Sequence, residues 1–339
     1  MCAIRAVYGG FESVEGTAAA AGVSGVNYTF LRVVKFTPTK PSKLDNPRET
    51  TNTTITTQHP RPSTQQFNFT VQTRAYFDDT MFWDAMAYGA PSTGAHPLAS
   101  GVNDHTFITG GTAPKAATLK WKQVGSQGTI WWQATGCKVK QSKLMYVANL
   151  GLVREFQGFG RYPTNISAPT VPADTTAAYN QPMSMDQQAI TKNSVAWTKV
   201  KKFDVTTDNG MAPDWVINNV RTLARLKLGD STTKADIQAF FDAYTGSLAE
   251  VHDSATSKIT GGVILSVVDA ATSIGTGTPT NPAFAVSIPQ AYIDDTSDDD
   301  TPTDPEEKSA VLAAYDGTLT ADISLVYTNE LTTAFFTGH

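Results

Sequence analysis

Leu31-Arg-Val-Val-Lys-Phe36 is matched by a similar segment, Thr198-Lys-Val-Lys-Lys-Phe203, at an offset of 167 residues (203 minus 36). In both segments apolar and polar residues alternate roughly as they do in a half-buried β-strand. Each segment also opens a comparable series of apolar stretches, in residues 31–162 and in residues 198–329. The sequence therefore predicts one supersecondary pattern that occurs twice in the chain.

Four further strands are predicted in each half. Their offsets drift by about ten residues or more, as loop insertions would cause. The predicted pairs are Phe67–Val71 with Leu223–Leu228, Ala117–Val124 with Gly262–Val268, Cys137–Leu144 with Phe284–Ile288, and Leu152–Phe159 with the Asp322–Tyr327 region. We predict two tandem domains, residues 1–175 and residues 176–339.

One short helix is predicted after the second strand of each half. Three apolar residues recur at i, i+3 and i+4 between an N-cap at Asp78 or Asp79 and a closing Gly89: Phe82, Ala85 and Met86. The second half shows the spacing i, i+3, i+4, i+7 after Thr232 or Thr233 and before Gly246: Ile237, Phe240, Phe241 and Tyr244.

Composition favours sheets over a helical bundle. The 339 residues include 25 Gly, 18 Pro and many Thr, with 40% hydrophobic and 17% charged residues. The two cysteines, Cys2 and Cys137, are too far apart in sequence to suggest a disulfide scaffold or a zinc site, so both are predicted to be free thiols. No apolar run approaches the roughly 20 residues of a membrane span, so we expect a soluble protein made in a cytoplasm without an export signal.

Charge disfavours a nucleic-acid-binding module. The formal net charge is −5, and the stretch from Asp294 to Glu307 alone holds eight acids and no base. Without that stretch the net charge is +3 (−5 plus 8), which is too small a basic field to grip DNA by neutralising phosphates. The acidic run lacks the alternation and closing glutamate of a calcium loop, and we interpret it as a solvated loop.

Two segments interrupt the repeated pattern. Residues 37–66 are dense in Thr and Pro and too long for a simple connection, which is typical of a functional or disordered loop. Residues 163–188 are rich in Thr, Ala and Pro and are predicted to link the two halves.

Residue patterns of catalysis or cofactor binding are missing from the sequence. No nucleophile elbow, phosphate loop, dinucleotide fingerprint or carboxylate pair occurs, so we predict a protein that is not an enzyme and has no cofactor, no metal and no catalytic residues. The histidines stand singly in predicted loops or at the end of the chain, without partners at metal-ligand spacing: His59, His96, His105, His252 and His339. We interpret His96 and His105, which bracket a loop with Gly and Ser, as surface residues. Trp131 and Trp132 are adjacent on a predicted strand and so point to opposite faces, one toward the core and one toward an interface.

A family resemblance is carried by Trp132-Gln-Ala-Thr-Gly-Cys-Lys-Val139, Leu144 and Gly151-Leu-Val-Arg-Glu-Phe-Gln-Gly-Phe-Gly160. In this order the motifs resemble the tail tube (major tail) proteins of long-tailed, siphovirus-like bacteriophages. Three other segments agree with that resemblance: Phe11-Glu-Ser13, Phe284-Ala-Val-Ser-Ile-Pro289 and Leu325-Val-Tyr-Thr-Asn329. The long Thr-rich loop and the acidic run depart from the family pattern.

The resemblance implies a mainly β fold with short helices, built as two tandem tail-tube-type β-sandwich or barrel domains, each flanked by one helix. It implies a structural virion protein in the phage tail that polymerises into stacked trimeric or hexameric rings. Other expected partners are the tape measure, terminator and distal tail proteins, and viral DNA that passes through the lumen without specific binding. No membrane partner is implied.

Two alternatives stay open at the level of sequence. A capsid decoration or tail terminator protein is also β-rich and forms rings, but it does not need duplicated barrels or open-ended stacking. A carbohydrate-binding β-sandwich would use Trp131, Trp132 and Trp197 as a sugar platform.

Overall fold

The computed structural model of the protein describes residues 3–19, 28–40, 42–45, 48–51, 54–57, 61–147, 151–170, 182–184, 187–214, 225–241, 247–299, 305–332 and 336. Strands make up 58% of the structure and helices 6%. The prediction of a mainly β fold with short helices is therefore confirmed. The core must be formed by sheet packing, because the two described helices are too short to supply one.

Strands of the first half follow in this order: β1 (Ala3–Phe11), β2 (Thr29–Phe30), β3 (Lys35–Thr39), β4 (Ser42–Asp45), β5 (Arg48–Thr51), β6 (Thr54–Thr57), β7 (Arg61–Gln65) and β8 (Phe67–Arg74). Helix α1 (Thr80–Tyr88) comes next. The half continues with β9 (Ser92–Ala95), β10 (Ala99–Ser100), β11 (Asn103–Ile108), β12 (Ala117–Gly125), β13 (Gly128–Val147), β14 (Gly151–Gly160) and β15 (Thr164–Ile166).

The second half begins with β16 (Gln188–Lys192), β17 (Val195–Ala196), β18 (Val200–Asp208), β19 (Ala212–Asp214), β20 (Arg225–Lys227) and β21 (Thr232–Phe240). Helix α2 (Leu248–His252) follows. The remaining strands are β22 (Lys258–Ile259), β23 (Val263–Val268), β24 (Thr276–Gly277), β25 (Ala283–Ile288), β26 (Ala291–Asp299), β27 (Glu306–Ala313) and β28 (Ser324–Asn329).

The largest sheet branches at β13, a strand of 20 residues. The first part of β13 pairs with β12 and β15, and its last part pairs with β14 and β18. From this second part a row of nine strands runs in the order β3, β8, β14, β13, β18, β21, β27, β26, β22. We call this row the long sheet.

Strand order in the long sheet repeats. Each half contributes four main strands to it, which we number first to fourth in chain order: β3, β8, β13 and β14 in the first half, and β18, β21, β26 and β27 in the second. In both halves these strands are neighbours in the sheet in the order first, second, fourth, third. The third strand carries a bulge at the same place in both halves, between Val139 and Gln141 and between Ile293 and Asp295. Phe36 pairs with Val71 as Phe203 pairs with Ile237, which confirms the offset of 167 for the first strand.

The strands outside the long sheet also repeat. β1, β12, β13 and β15 are neighbours in that order, and so are β16, β23, β25 and β28. The second of these rows continues into β11 and β9 of the first half, which gives a seven-stranded sheet. Both large sheets therefore contain strands from both halves. The domain boundary at residues 175 and 176 stays a prediction.

Three local predictions were wrong. The predicted helix around Ile237 and Phe240 is strand β21, since Thr233, Ala235, Ile237 and Ala239 alternate as buried residues with period two; α2 begins later, after the N-cap Ser247. The second-half equivalent of β8 is β21 and not the short β20. The equivalent of β14 is β27, whereas β28 corresponds to β15.

Helix α1 is confirmed, with Asp79 as N-cap and Gly89, at a φ of 91°, directly after its end. All nine of its residues are buried. Second-half residues contact both of its ends: Asn209 Nδ2 donates to the Ala87 carbonyl (2.7 Å), and Asn329 Nδ2 donates to Met81 Sδ (3.0 Å) and to the carbonyl of Phe77, just before the helix (2.7 Å). A helix enclosed in this way fixes the two halves against each other.

A buried polar cluster ties α1 to both sheets. The Arg154 guanidinium on β14 pairs with the Asp84 carboxylate on α1 and donates to Ser142 Oγ (2.9 Å). Tyr327 on β28 donates its hydroxyl to Asp84 Oδ2 at 2.5 Å. All three side chains are almost completely buried, and burial raises the pKa of Asp84 while the contacts with Arg154 and Tyr327 oppose that shift. An ion pair in such a place must keep both partners, since one buried charge alone is costly.

We predict that Arg154→Met lowers the free energy of unfolding by about 3–5 kcal/mol, because it leaves the Asp84 carboxylate buried without its counter-ion. Tyr327→Phe removes one hydrogen bond and is expected to cost about 1–2 kcal/mol. Denaturant titration measures both losses. The double variant Asp84→Asn with Arg154→Met should lose less than the sum of its two single variants, and strictly additive losses would contradict the predicted coupling.

Candidate assembly edges

The two halves meet at a continuous hydrogen-bonded junction. β13 and β18 pair antiparallel over seven positions, from Gln141 opposite Asp208 to Val147 opposite Lys202. Two ion pairs cross the junction: Lys143 Nζ lies 3.3 Å from Asp204 Oδ2, and Lys140 Nζ lies 3.9 Å from Asp208 Oδ2. The third strand of the first half is thereby joined to the first strand of the second half.

β3 at one end of the long sheet, and β26 beside the two-residue β22 at the other, are the structural equivalents of the two strands at this junction. β3 is equivalent to β18 and has a single strand partner, β8, within the described residues. β26 is equivalent to β13 and pairs with β27. Within the described residues its other side has main-chain partners only at its start, where Ala291 and Tyr292 pair with β22 and the Ile293 amide donates to the Ser257 carbonyl (2.8 Å). One chain therefore presents, at its two edges, both strands that an internal junction requires. A main-chain edge of this kind is a template for pairing with another strand.

The β3 edge is well anchored to its own chain. Arg32, just before β3, pairs with Asp79 (3.4 Å) and lies 5.3 Å from the centre of the Tyr76 ring. Thr73 Oγ1 on β8 donates to the Arg32 carbonyl at 2.7 Å. Beside β3 a cleft of about 600 Å³ opens toward β1, and Val34 on its rim is 66% exposed. An exposed valine next to a strand with one free edge is suited to contact with another chain.

The acidic run is not the solvated loop that was predicted. Its first residues lie on β26 and its last two begin β27, while residues 300–304 lie outside the described residues. The strand pairing of β26 with β27 overrides the low strand preference of aspartate. Glu307 is buried and accepts from the Ala249 amide at the start of α2 (2.6 Å), whereas Glu306 pairs with Lys201, whose hydrogen bond lowers the pKa of that carboxyl. Asp294 and Asp295 are exposed on the edge.

One face of the long sheet is apolar and the other is polar. The buried face is built from alternate residues such as Phe69, Val71, Phe156, Phe203, Val205, Ala235, Ile237 and Val311. Residues between them form the opposite face, among them Thr70, Gln72, Lys143, Glu155, Gln157, Thr206, Lys234, Asp236, Gln238 and Lys308. Acids and bases are interspersed on this face, so it presents neither a strongly basic nor a strongly acidic field.

A hairpin arm leaves the long sheet between the first and second strands of each half. In the first half β4 pairs with β7 and β5 with β6, so the described parts of residues 37–66 form two antiparallel ladders instead of an irregular loop. In the second half β19 pairs with β20. The predicted linker, residues 163–188, lies partly outside the described residues; β15 and the first residue of β16 fall within it.

Trp131 and Trp132 make packing contacts within the chain. Trp132 stacks on the buried Trp121 and donates to Gln123 Oε1 (2.9 Å), and the Lys40 ammonium lies 2.9 Å from its ring centre. Trp131 packs on the opposite face, against Tyr8. Both rings are partly buried, as adjacent strand residues on opposite faces can be.

Histidines and cysteines do not form a chemical site in the part of the chain that is described. The interpretation of His105 as a surface residue was wrong: it is fully buried, shares a hydrogen bond with Thr93 Oγ1 (2.9 Å) and packs against Phe336. His96 and His252 are half-buried, and His59 and His339 lie outside the described residues. Cys137 is a free, buried thiol whose pKa burial raises, and Cys2 is not among the described residues. No three metal-ligating side chains come together there.

Comparison with known proteins yields no match, either to a protein-family model or to a curated protein. Within the described residues, no helix has the length and apolar character needed to span a membrane. The geometry of the long sheet and its two edges is therefore the basis for any assignment.

The stability of the protein is expected to depend on pH through Asp78, the residue before the Arg32 partner Asp79. Burial, together with the neighbouring Asp79, raises the pKa of Asp78 to about 7. The folded state then holds a proton that the unfolded chain releases near pH 4. The contribution of Asp78 to the free energy of unfolding is therefore fully present below about pH 4 and is lost as pH rises toward 7. We predict that the free energy of unfolding decreases over this window by at least about 1 kcal/mol through Asp78 alone.

Denaturant titrations between pH 4 and pH 8 measure this decrease. Asp78→Asn should flatten the decline, because the amide does not ionise. The matched control Asp236→Asn, at an exposed position of β21, should keep the wild-type profile. An unchanged pH dependence in Asp78→Asn would rule out this residue as the cause.

Proposed function

We propose that this protein is the tail tube subunit of a long-tailed bacteriophage, which polymerises into stacked rings that conduct DNA. The observation that carries the proposal is the repeated strand order of the long sheet, with β3, the equivalent of β18, at one end and β26, the equivalent of β13, beside β22 at the other. The resemblance of residues 132–160 to tail tube proteins supports the same assignment.

Head-to-tail pairing of β26 in one copy with β3 in the next would repeat the junction between β13 and β18. Such a contact is heterologous, and it generates a closed ring when the rotation per copy divides a full turn. Closure would leave no exposed edge in the long sheet, since every β3 and every β26 would have a partner. Polymerisation would thereby satisfy main-chain groups that a monomer leaves unpaired.

Ring size follows from the number of strands. Each chain contributes eight repeated strands, four from each half. Three chains give 24 strands (3 times 8), and at a spacing of about 4.8 Å the barrel would be about 37 Å across between backbones before strand tilt widens it. Six chains would give 48 strands and about twice that diameter. We favour the trimeric ring, because six similar four-strand units already enclose a channel of the width that a double helix needs.

The polar face of the long sheet suits the wall of a DNA channel. In a closed barrel the apolar face packs against the helices and the outer strands, so the Thr-, Gln- and charge-bearing face would line the lumen. Because acids and bases alternate along it, the face lacks the row of basic residues that binds phosphates. DNA would pass without being held at specific positions.

Hairpin arms and further tail proteins complete the proposed role. The arms formed by residues 42–65 and by β19 and β20 are proposed to contact the adjacent ring. Tape measure, terminator and distal tail proteins are the proposed partners at the inside and the ends of the tube, and the proposed location is the virion.

Assembly of the purified chain tests the proposal. Electron microscopy should show tubes with three chains per ring, and native mass spectrometry of short assemblies should give multiples of three, because each chain carries two equivalent halves. Thr296→Pro, which removes a main-chain donor from the free side of β26, should abolish tubes, whereas Ser126→Pro in the turn between β12 and β13 should not.

Closed single rings without stacking would instead favour a capsid decoration or tail terminator protein. A chain that stays monomeric at high concentration would contradict self-assembly altogether.

A further inference from the structure

We propose that the acidic edge strand β26 pairs with the basic edge strand β3 of a second copy of this chain, and that the polarity of this charge pairing is opposite to that of the internal junction. The inference rests on the proposed function, because it concerns the contact that would close the ring. It goes further by assigning the residues that select the correct neighbour.

Charge at the internal junction has a definite direction. The part of β13 that pairs with β18 contains Lys143 as its one charged residue, and Lys138 and Lys140 directly precede it. β18 turns two acids toward this strand, Asp204 and Asp208, which make the ion pairs described above. Asp204 is only 3% exposed and lies between Lys143 and Lys202. Here the third strand is basic, and the first strand supplies the acids, although its own two aspartates are balanced by Lys201 and Lys202.

Charge at the two outer edges runs the other way. β26 contains four acids and no base: Asp294, Asp295, Asp298 and Asp299. The segment around β3 contains bases and no acid from residue 28 to residue 44, with Lys35 on the strand and Lys40 directly after it. Within the described residues neither lysine makes an ion pair, and neither do Asp294 and Asp295, although the Lys40 ammonium contacts the Trp132 ring of its own chain. Here the third strand is acidic and the first strand is basic.

Copying the internal register places these charges next to one another. The structural offsets are 167 from β3 to β18 (203 minus 36) and 154 from β13 to β26 (295 minus 141). The internal pair Lys143 opposite Thr206 then becomes Ser297 opposite Thr39 of the next copy (143 plus 154; 206 minus 167). One step along, Thr296 lies opposite Lys40, which makes Asp294 a diagonal cross-strand neighbour of Lys40.

Incorrect pairings would be disfavoured by the same charges. Two β26 strands would oppose acids with acids, and two β3 strands would oppose bases with bases. A β26 strand that displaced β13 from β18 of another copy would face Asp204 and Asp208, so exchange of halves between copies is also opposed. The pairing of β26 with β3 is the one combination that sets opposite charges against each other at both ends of the chain. Its rate and extent should therefore fall with increasing salt.

Charge reversal tests this assignment. An acid-reversed chain carries Asp294→Lys, Asp295→Lys, Asp298→Lys and Asp299→Lys; a base-reversed chain carries Lys35→Glu and Lys40→Glu. Each chain alone should assemble at least tenfold less than the wild type, because both of its edges then have the same sign. A chain with all six substitutions should recover rings and tubes. A control chain with Lys234→Glu and Asp236→Lys, away from the edges on β21, should assemble as the wild type does.

Mixing the acid-reversed chain with the base-reversed chain adds a test of ring size. The reversed edges permit contacts between unlike chains only, so the two kinds of chain must alternate around a ring. A ring of three cannot alternate. The mixture should therefore give heterodimers, open chains or even-numbered rings in native mass spectrometry, but no rings of three.

Disulfide trapping tests the register of the strand pairing without requiring closed rings or tubes. One chain carries Thr39→Cys and another carries Ser297→Cys, and under mild oxidation the mixture should form the 39–297 heterodimer in preference to either homodimer. Lys143→Cys with Thr206→Cys in one chain is the matched positive control, because these residues are the internal equivalents. Ser126→Cys replaces either cysteine as the negative control. Circular dichroism spectra identify any variant that fails to fold.

The outcomes separate the two proposals. Wild-type tubes together with unimpaired assembly of both reversed chains would overturn the charge-pairing inference and leave the tube intact. A wild-type chain that forms no rings but gives the 39–297 heterodimer would retain the edge pairing and overturn the tube. Absence of both rings and the specific heterodimer would overturn both.

Discussion

The hydrogen-bond ladder between β13 and β18 is the interaction on which the rest of the structure depends. β13 is shared: its first part belongs with β12 and β15, and its last part joins β14 to the second half. Because both large sheets cross between halves, α1 is enclosed by residues from both, and its ends are held by Asn209 and Asn329. A slip of one residue at this ladder would turn the apolar face of four strands toward solvent. The junction therefore fixes register, helix position and the buried ion pair of Asp84 and Arg154 together.

Alternation along the chain was enough to predict ten of the 28 described strands, but not all of their equivalents or their partners. The offset between Phe36 and Phe203 could be read because both residues occupy the same buried place in a short, regular segment. β21 was mistaken for a helix because its apolar residues are mostly alanine, so the aromatic Phe240 and its neighbours dominated the pattern, although Phe240 itself is exposed. Helix α1 was predicted correctly, yet its burial on all sides was not, since that depends on strands more than 200 residues further along the chain.

The candidate edges could not be predicted from the sequence for a related reason. A strand with four aspartates looks like a solvated loop when read alone, and its strand pairing with β27 becomes evident only in three dimensions. Likewise, nothing in residues 35–39 indicates that they end a sheet, because an edge is defined by which strand is absent beside it. What the sequence did contain was the charge itself, an acidic run in one half and a basic, acid-free segment in the other.

Duplication explains how two junctions in one assembly could differ in charge. In a ring of identical single-unit chains every junction has the same sequence, so each strand edge must suit the one opposite edge that exists. In a chain with two units the internal junction and the junction between chains are separate sets of residues, and each can change without the other. Lysines on β13 facing aspartates on β18, together with aspartates on β26 and lysines around β3, are what such independence permits. In the proposed ring, opposite polarity would distinguish the covalently linked neighbour from the next chain, which identical junctions could not do.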